Sequence, residues 1–187
     1  MPYLEILSKL SPLVIFLSVV VSVVYVTKQM KMHYFLAQRN KAINYSLYAN
    51  EHLRESRMKI EKEFGVMGKN KEPIPMEVIN KKIAEDDEIL SAIMTLLAHW
   101  ENMALAIHCG IADEEVCFEM VASTLDRHVR VFRNFIDERS EKNGRVYFYL
   151  MRLRRSWEER LSNVKISELQ PIISINKKSR PWFLSRN

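Results

Sequence analysis

Hydrophobic and polar positions divide this chain sharply near its amino end. Leu10–Thr27, LSPLVIFLSVVVSVVYVT, runs for eighteen residues without a charge, and twelve of them are Leu, Ile, Val or Phe. A helix of that length covers about 27 Å, close to the roughly 30 Å hydrocarbon core of a bilayer. Tyr3, Leu4, Ile6 and Leu7 can supply the missing turn. Val is a mediocre helix former in water, but in lipid every backbone group must find its partner inside the segment, which forces a helix. A cleaved signal peptide would have a shorter apolar core followed by an Ala-x-Ala pattern, and neither is present. A soluble core helix would show a polar face within five turns. The pattern therefore predicts a transmembrane anchor over 1–27.

Lys28 to Phe64 contains no Gly or Pro and is rich in helix formers, so it is expected to carry the helix out of the membrane. Its apolar stripe, Phe35, Leu36, Ile43, Leu47, Leu53, Ile60 and Phe64, is interrupted at Asn50 and Arg57. It fits either a helix docked along the domain or a self-associating stalk. Gly65, Gly68, Pro73 and Pro75 mark a loop over 65–75. A short helix from Met76 to about Ala84 follows. Asp86 to Cys109 is apolar on nearly all sides and is expected as the central helix, with acids at its start and Gly110 after its last turn. Asp113 is the expected cap of the next helix, whose inner stripe is Met120, Val121, Leu125, His128, Phe132, Phe135 and Ile136. Arg145 to Leu161 reads as a final amphipathic helix burying Tyr147, Leu150, Leu153, Trp157 and Leu161. The fold class is all-α: a transmembrane helix continuing into a long helix over 28–64, then a cytosolic bundle of about four helices over 76–162. A basic, weakly structured tail is expected over 163–187.

Charge refines this picture in two ways. Lys28, Lys31, Arg39 and Lys41 crowd the carboxyl side of the apolar segment, whereas Glu5 and Lys9 offset each other on the amino side, so the bulk of the chain is expected to face the cytoplasm. The net charge of +5 resides mostly in the tail, where Lys165, Lys177, Lys178, Arg180 and Arg186 face only Glu168. The folded part is nearly neutral, so nucleic acid is not an expected partner. In the tail, Lys177, Lys178, Arg180, Trp182 and Phe183 join basic with aromatic groups and suit contact with an anionic membrane surface.

Candidate chemistry is sparse. Glu101 is a carboxylate in the most apolar helix and needs a partner or a proton; Arg127, Arg130 and Arg139 are the candidates for a buried ion pair with it. Arg145, Arg152, Arg154, Arg155 and Arg160 give the last helix a basic side, diluted by Glu158 and Glu159. That side reads as solvated, or as facing anionic lipid or an acidic partner. His99, His108, His128, Cys109 and Cys117 lack the spacings of known metal motifs, and no phosphate loop, dinucleotide fingerprint or nucleophile elbow occurs. No catalytic residue, metal ligand or cofactor is assigned. The two cysteines, in a cytosolic setting, are expected to be reduced, buried small side chains.

Leu97 to Val116, LAHWENMALAIHCGIADEEV, resembles the bacterial domain-of-unknown-function family 4760. Arg139 and the spacing of Tyr147, Leu153 and Trp157 extend the resemblance over about Asp86 to Leu161. It implies a small membrane-anchored helical protein and carries no activity to particular positions. The expectation is a single-pass bacterial inner-membrane protein, amino terminus outside, whose cytosolic helices act as a non-catalytic interaction, sensor or effector module. Its partners would be the bilayer and either a partner protein or a second copy of itself, with phage defence or a mobile element as the setting. The alternative is a helical ligand- or nucleic-acid-binding domain organised by Glu101 and the nearby arginines.

Overall fold

A computed structural model describes residues 2–45, 51–68 and 72–178, with side chains over 14–45, 51–68 and 72–163. Those residues form α1 (Pro2–Ile43), α2 (Glu51–Phe64), α3 (Met76–Glu85), α4 (Glu88–His108), α5 (Glu114–Val131), α6 (Arg133–Lys142) and α7 (Phe148–Lys178), with no strand among them. The all-α expectation holds, and the apolar helix does continue well beyond Thr27.

α4 is the axis of the bundle. Ile93, Leu96, Leu97, Trp100 and Met103 are fully buried along it, on more than one side, because α2, α3, α5 and α7 all pack against it. Each such side chain contributes about 1.5–3 kcal/mol by leaving water, so covering this helix is the main apolar gain of the fold. Direction follows from the polar ties. Tyr45 and Lys59 meet His99 and Asp86, so the α2 track runs antiparallel to α4. Asp126 and Glu114 meet Arg154 and Trp157, so α7 runs antiparallel to α5 and parallel to α4.

The continuous helix expected over 28–64 is interrupted. α1 stops at Ile43, and Asn44 and Tyr45 form a turn closed by the Tyr45 N–H on the Ala42 carbonyl at 3.0 Å. The Tyr45 carbonyl, which a continuing helix would use internally, instead meets His99 Nε2 at 3.1 Å. Even so, the described parts of the track stay aligned: Gln38 meets Gly110, Tyr45 meets His99 and Lys59 meets Asp86.

The single helix expected from Asp113 through Ile136 is also divided. Phe132 lies between α5 and α6 with φ −92° and ψ 19°, fully buried. The carbonyl of Val131 accepts from the Ile74 N–H at 2.9 Å instead of serving the α-helical ladder, and Asn134 donates back to the Ile74 carbonyl at 2.9 Å. The last helix begins at Phe148 and extends beyond Leu161 to Lys178, through Pro171, so helical backbone replaces much of the expected tail. Good helix formers such as Lys165, Glu168, Leu169 and Gln170 precede that proline, which removes one helical donor.

His128 shows how the polar contents of the core are handled. Its Nδ1 accepts from Trp100 Nε1–H at 3.2 Å, and burial, aided by the charges of Arg57 and Arg127, pushes its pKa down to about 3. The folded imidazole is therefore neutral at pH 7. The unfolded chain takes up a proton near 6.5 and the folded chain does not, so this contribution is intact above 6.5 and is lost as pH falls toward 3. Urea unfolding followed by Trp fluorescence in detergent is expected to show stability falling between pH 6.5 and 4, by at most about 1.4 kcal/mol per pH unit from this group. His128→Gln, which keeps an acceptor for Trp100 without titrating, is expected to flatten that slope.

Candidate functional site

Glu101 is held by backbone. Its Oε2 accepts from the Leu150 N–H at 2.7 Å and its Oε1 from the Tyr149 N–H at 3.2 Å. These amides belong to the first turn of α7, where helical N–H groups have no partner within their own helix and the dipole favours a negative charge. The carboxylate of α4 thus caps α7 from outside. Burial pushes its pKa above the ordinary value, against the pull of the two amides.

The expected ion pair with arginine is not formed. Arg127 reaches the Met67 carbonyl at 3.3 Å, Arg130 pairs with Asp126 at 2.5 Å, and the guanidinium of Arg139 lies 5.2 Å from the centre of the Phe135 ring. Two amides at the mouth of α7 satisfy the acid that an arginine was expected to neutralise.

A second node joins α1 to the bundle. Tyr34 Oη and Gln38 Nε2 both donate to the Gly110 carbonyl, at 2.9 and 2.5 Å, and the Asp113 N–H donates to the Gln38 carbonyl at 3.2 Å. Arg39 adds an ion pair to Asp113 at 3.7 Å. Gly110 has φ +68°, the left-handed conformation that ends α4 and turns its carbonyl toward α1. Asp113 also caps α5, its side chain accepting from the Val116 N–H at 3.0 Å.

The third feature is a cleft of about 560 Å³ between α6 and the first turns of α7. Arg133, Asp137 and Ser140 form one wall, and Phe148, Arg152 and Arg155 the other. Tyr147 lines its floor with φ +58°, the one non-glycine residue of positive φ among those described. Such a conformation costs on the order of 1–3 kcal/mol and persists where its surroundings enforce it. Here the burial of the Tyr147 ring and the capture of the Tyr149 and Leu150 amides by Glu101 do so.

A family model described as a domain of unknown function (DUF4760) matches residues 12–157. The chain belongs to this family. No curated protein and no solved structure matches it. The DUF4760 match is wider than the Asp86–Leu161 resemblance and takes in most of the apolar segment, both nodes and the cleft.

Other residues singled out in this DUF4760 chain have ordinary partners. His108 packs against Tyr149 with ring centres 5.0 Å apart. No group of three His, Cys, Asp or Glu side chains gathers around a common point among the described residues. Both cysteines are free, but only Cys117 is buried, its thiol pushed up to about 12 chiefly by desolvation, whereas Cys109 is exposed. Lys177 and Lys178 lie on described helical backbone without described side chains, and Arg180, Trp182 and Phe183 lie outside the described residues. Sequence reasoning did not find the Gly110 clamp, although Gly110 itself signalled the turn.

Glu101→Ala is expected to destabilise the bundle by about 1.5–3 kcal/mol, the scale of charged hydrogen bonds, in equilibrium unfolding. Amide exchange at Tyr149 and Leu150 should accelerate at least tenfold while α5 stays protected. Because the folded pKa of Glu101 is raised, its titration favours the fold fully below the ordinary 4.5 and loses that contribution as pH rises through the raised value. Glu101→Gln should remove that component.

Proposed function

We propose that this chain is a single-pass protein of the bacterial inner membrane, with its amino terminus outside and its helical bundle in the cytoplasm. There it acts as a non-catalytic interaction, sensor or effector module. One observation carries the reading: every described residue of α1 from Val14 to Ala37 is exposed, including the apolar runs Val14–Leu17, Val19–Val21 and Val23–Val26. In water that surface would be unfavourable without a partner; in lipid it is at home.

The polar groups of the segment agree. Ser18, Ser22 and Thr27 donate to the carbonyls of Ile15, Ser18 and Val23 at 2.7–2.8 Å, so each hydroxyl is satisfied inside its own helix as a hydrocarbon surrounding demands. α1 and α4 are both long and apolar enough to cross a membrane, but half of α4 is buried by its neighbours and none of the α1 span is. α4 is accounted for as the bundle's core, and α1 is left for the bilayer. The lysines and arginine after Thr27 support the cytoplasmic orientation.

The bundle would then be confined close to the surface. Gln38 lies eleven residues, about 16 Å of helix, beyond Thr27, and the Gly110 clamp fixes the bundle at that height. α7 runs from the level of Glu101 past that of Glu114, toward the membrane side of the bundle, and contact of Lys177, Lys178, Arg180, Trp182 and Phe183 with the membrane surface is part of the same proposal. Lateral association of α1, with a second copy or a partner protein, would reach the bundle through the clamp. A role in phage defence or a mobile element rests on the family resemblance alone.

In cell fractionation, the full chain is expected in the membrane pellet after an alkaline carbonate wash and in solution only with detergent. Release by carbonate would overturn the anchored reading. A chain lacking 1–27 should appear in the soluble fraction and lose its cellular effect; an effect retained there would show that surface confinement is unnecessary.

A further inference from the structure

We infer that the cleft between α6 and α7 binds a nucleotide-class ligand: a small molecule carrying phosphates and a flat ring. The first argument is the distribution of charge along α7. Arg154 pairs with Asp126 at 3.2 Å, and Arg160 with Glu115 at 2.7 Å, both on the side that seals α7 to α5. Arg152 and Arg155 line the cleft, Arg152 also bordering a second depression beside His108 and Tyr149, and among the described residues neither has an acidic partner. Three residues apart on one helix, they are neighbours on its surface and present two guanidiniums to one anion. Arg133 faces them from α6, half-neutralised by Asp137 at 2.7 Å.

The second argument is the apolar rim. Phe148 is 52% exposed beside these arginines, with its ring held edge-on against Tyr149 at 5.3 Å. A fixed, exposed ring next to unpaired guanidiniums offers a stacking face and a phosphate site together. Asp137 and Ser140 on the opposite wall supply acceptors for hydroxyl or amino groups of a sugar or base. The volume, about 560 Å³, falls in the range of small-molecule sites.

The third argument separates a soluble phosphate from a lipid headgroup, and it rests on the anchored reading above. The mouth of α7 is level with Glu101, nine residues or about 13 Å of α4 farther from Thr27 than the Gly110 clamp. With the clamp already about 16 Å beyond Thr27, the cleft stands well outside the few ångströms of a headgroup layer.

The test is isothermal titration of the full chain in detergent micelles with ATP and GTP, with tripolyphosphate and adenosine as part-ligands and glycerophosphoserine as a free lipid headgroup. Saturable nucleotide binding is expected, at least tenfold tighter than for either part-ligand. Arg152→Ala/Arg155→Ala should weaken it at least tenfold with unchanged thermal unfolding, since both side chains are exposed. Phe148→Ala should weaken ATP but leave tripolyphosphate unaffected. No saturable binding at millimolar nucleotide overturns the proposal, as does binding indifferent to the two arginines or tripolyphosphate binding as tightly as ATP. Saturable glycerophosphoserine binding that the arginine variant loses, without nucleotide binding in the parent chain, would overturn the proposal and assign the cleft to a lipid headgroup. None of these readouts depends on where the chain resides in the cell.

Discussion

The fold is governed by a helix that cannot be left uncovered. α4 carries apolar residues around most of its circumference, with Leu96, Leu97 and Trp100 all fully buried, so no single neighbour can shield it. Four helices must come to it, and their directions are then set by the few polar groups that α4 contributes. His99 receives the Tyr45 backbone, Trp100 engages His128 of α5, and Glu101 takes the first turn of α7. Three consecutive residues thus orient three neighbours, at a cost in desolvation that each hydrogen bond offsets.

Electrostatics divides the surface in the same orderly way. Acidic residues at the start of α5 and at Asp126 are matched to α7 through Trp157, Arg160 and Arg154, while Asp86 and Glu88 hold Lys59 of α2. Most of these pairs are at least partly solvated, so their worth lies in register more than in stability. Arg152 and Arg155, which no acid engages among the described residues, lie on one side of α7, next to the strained backbone of Tyr147. A positive-φ backbone, two guanidiniums without an acidic partner and an exposed ring coincide there.

Features encoded by adjacent residues were legible in the sequence. Asp113 caps α5 and Gly110 ends α4 in the left-handed conformation, each through contacts within a turn, and the inner stripe of α5 that its periodicity marks is buried at Val121, Leu125 and His128. What escaped depends on backbone groups meeting across the fold. The break after Ile43 and the break at Phe132 both occur where a carbonyl is diverted to a distant partner, His99 in one case and the Ile74 N–H in the other. Glu101 directs the reader of the sequence to arginines because side chains are visible there and free helix-end amides are not. The cleft is hidden for a related reason: the sequence shows the basic side of α7, but which arginines the acids of α5 neutralise depends on the antiparallel register.

The junction at Gly110 has one more implication. Its contacts run mainly through backbone atoms of the α4–α5 turn, the Gly110 carbonyl and the Asp113 N–H, and its side-chain contributions come from Tyr34, Gln38, Arg39 and Asp113. Ile111 is exposed and Ala112 is buried, yet neither side chain takes part in the hydrogen bonds. Position 111 is therefore free to drift in composition without uncoupling the bundle from the helix that carries it, provided position 110 remains glycine. Related chains could wear different surfaces at this point while preserving one mechanical joint, much as a hinge plate can be refaced without moving its pin.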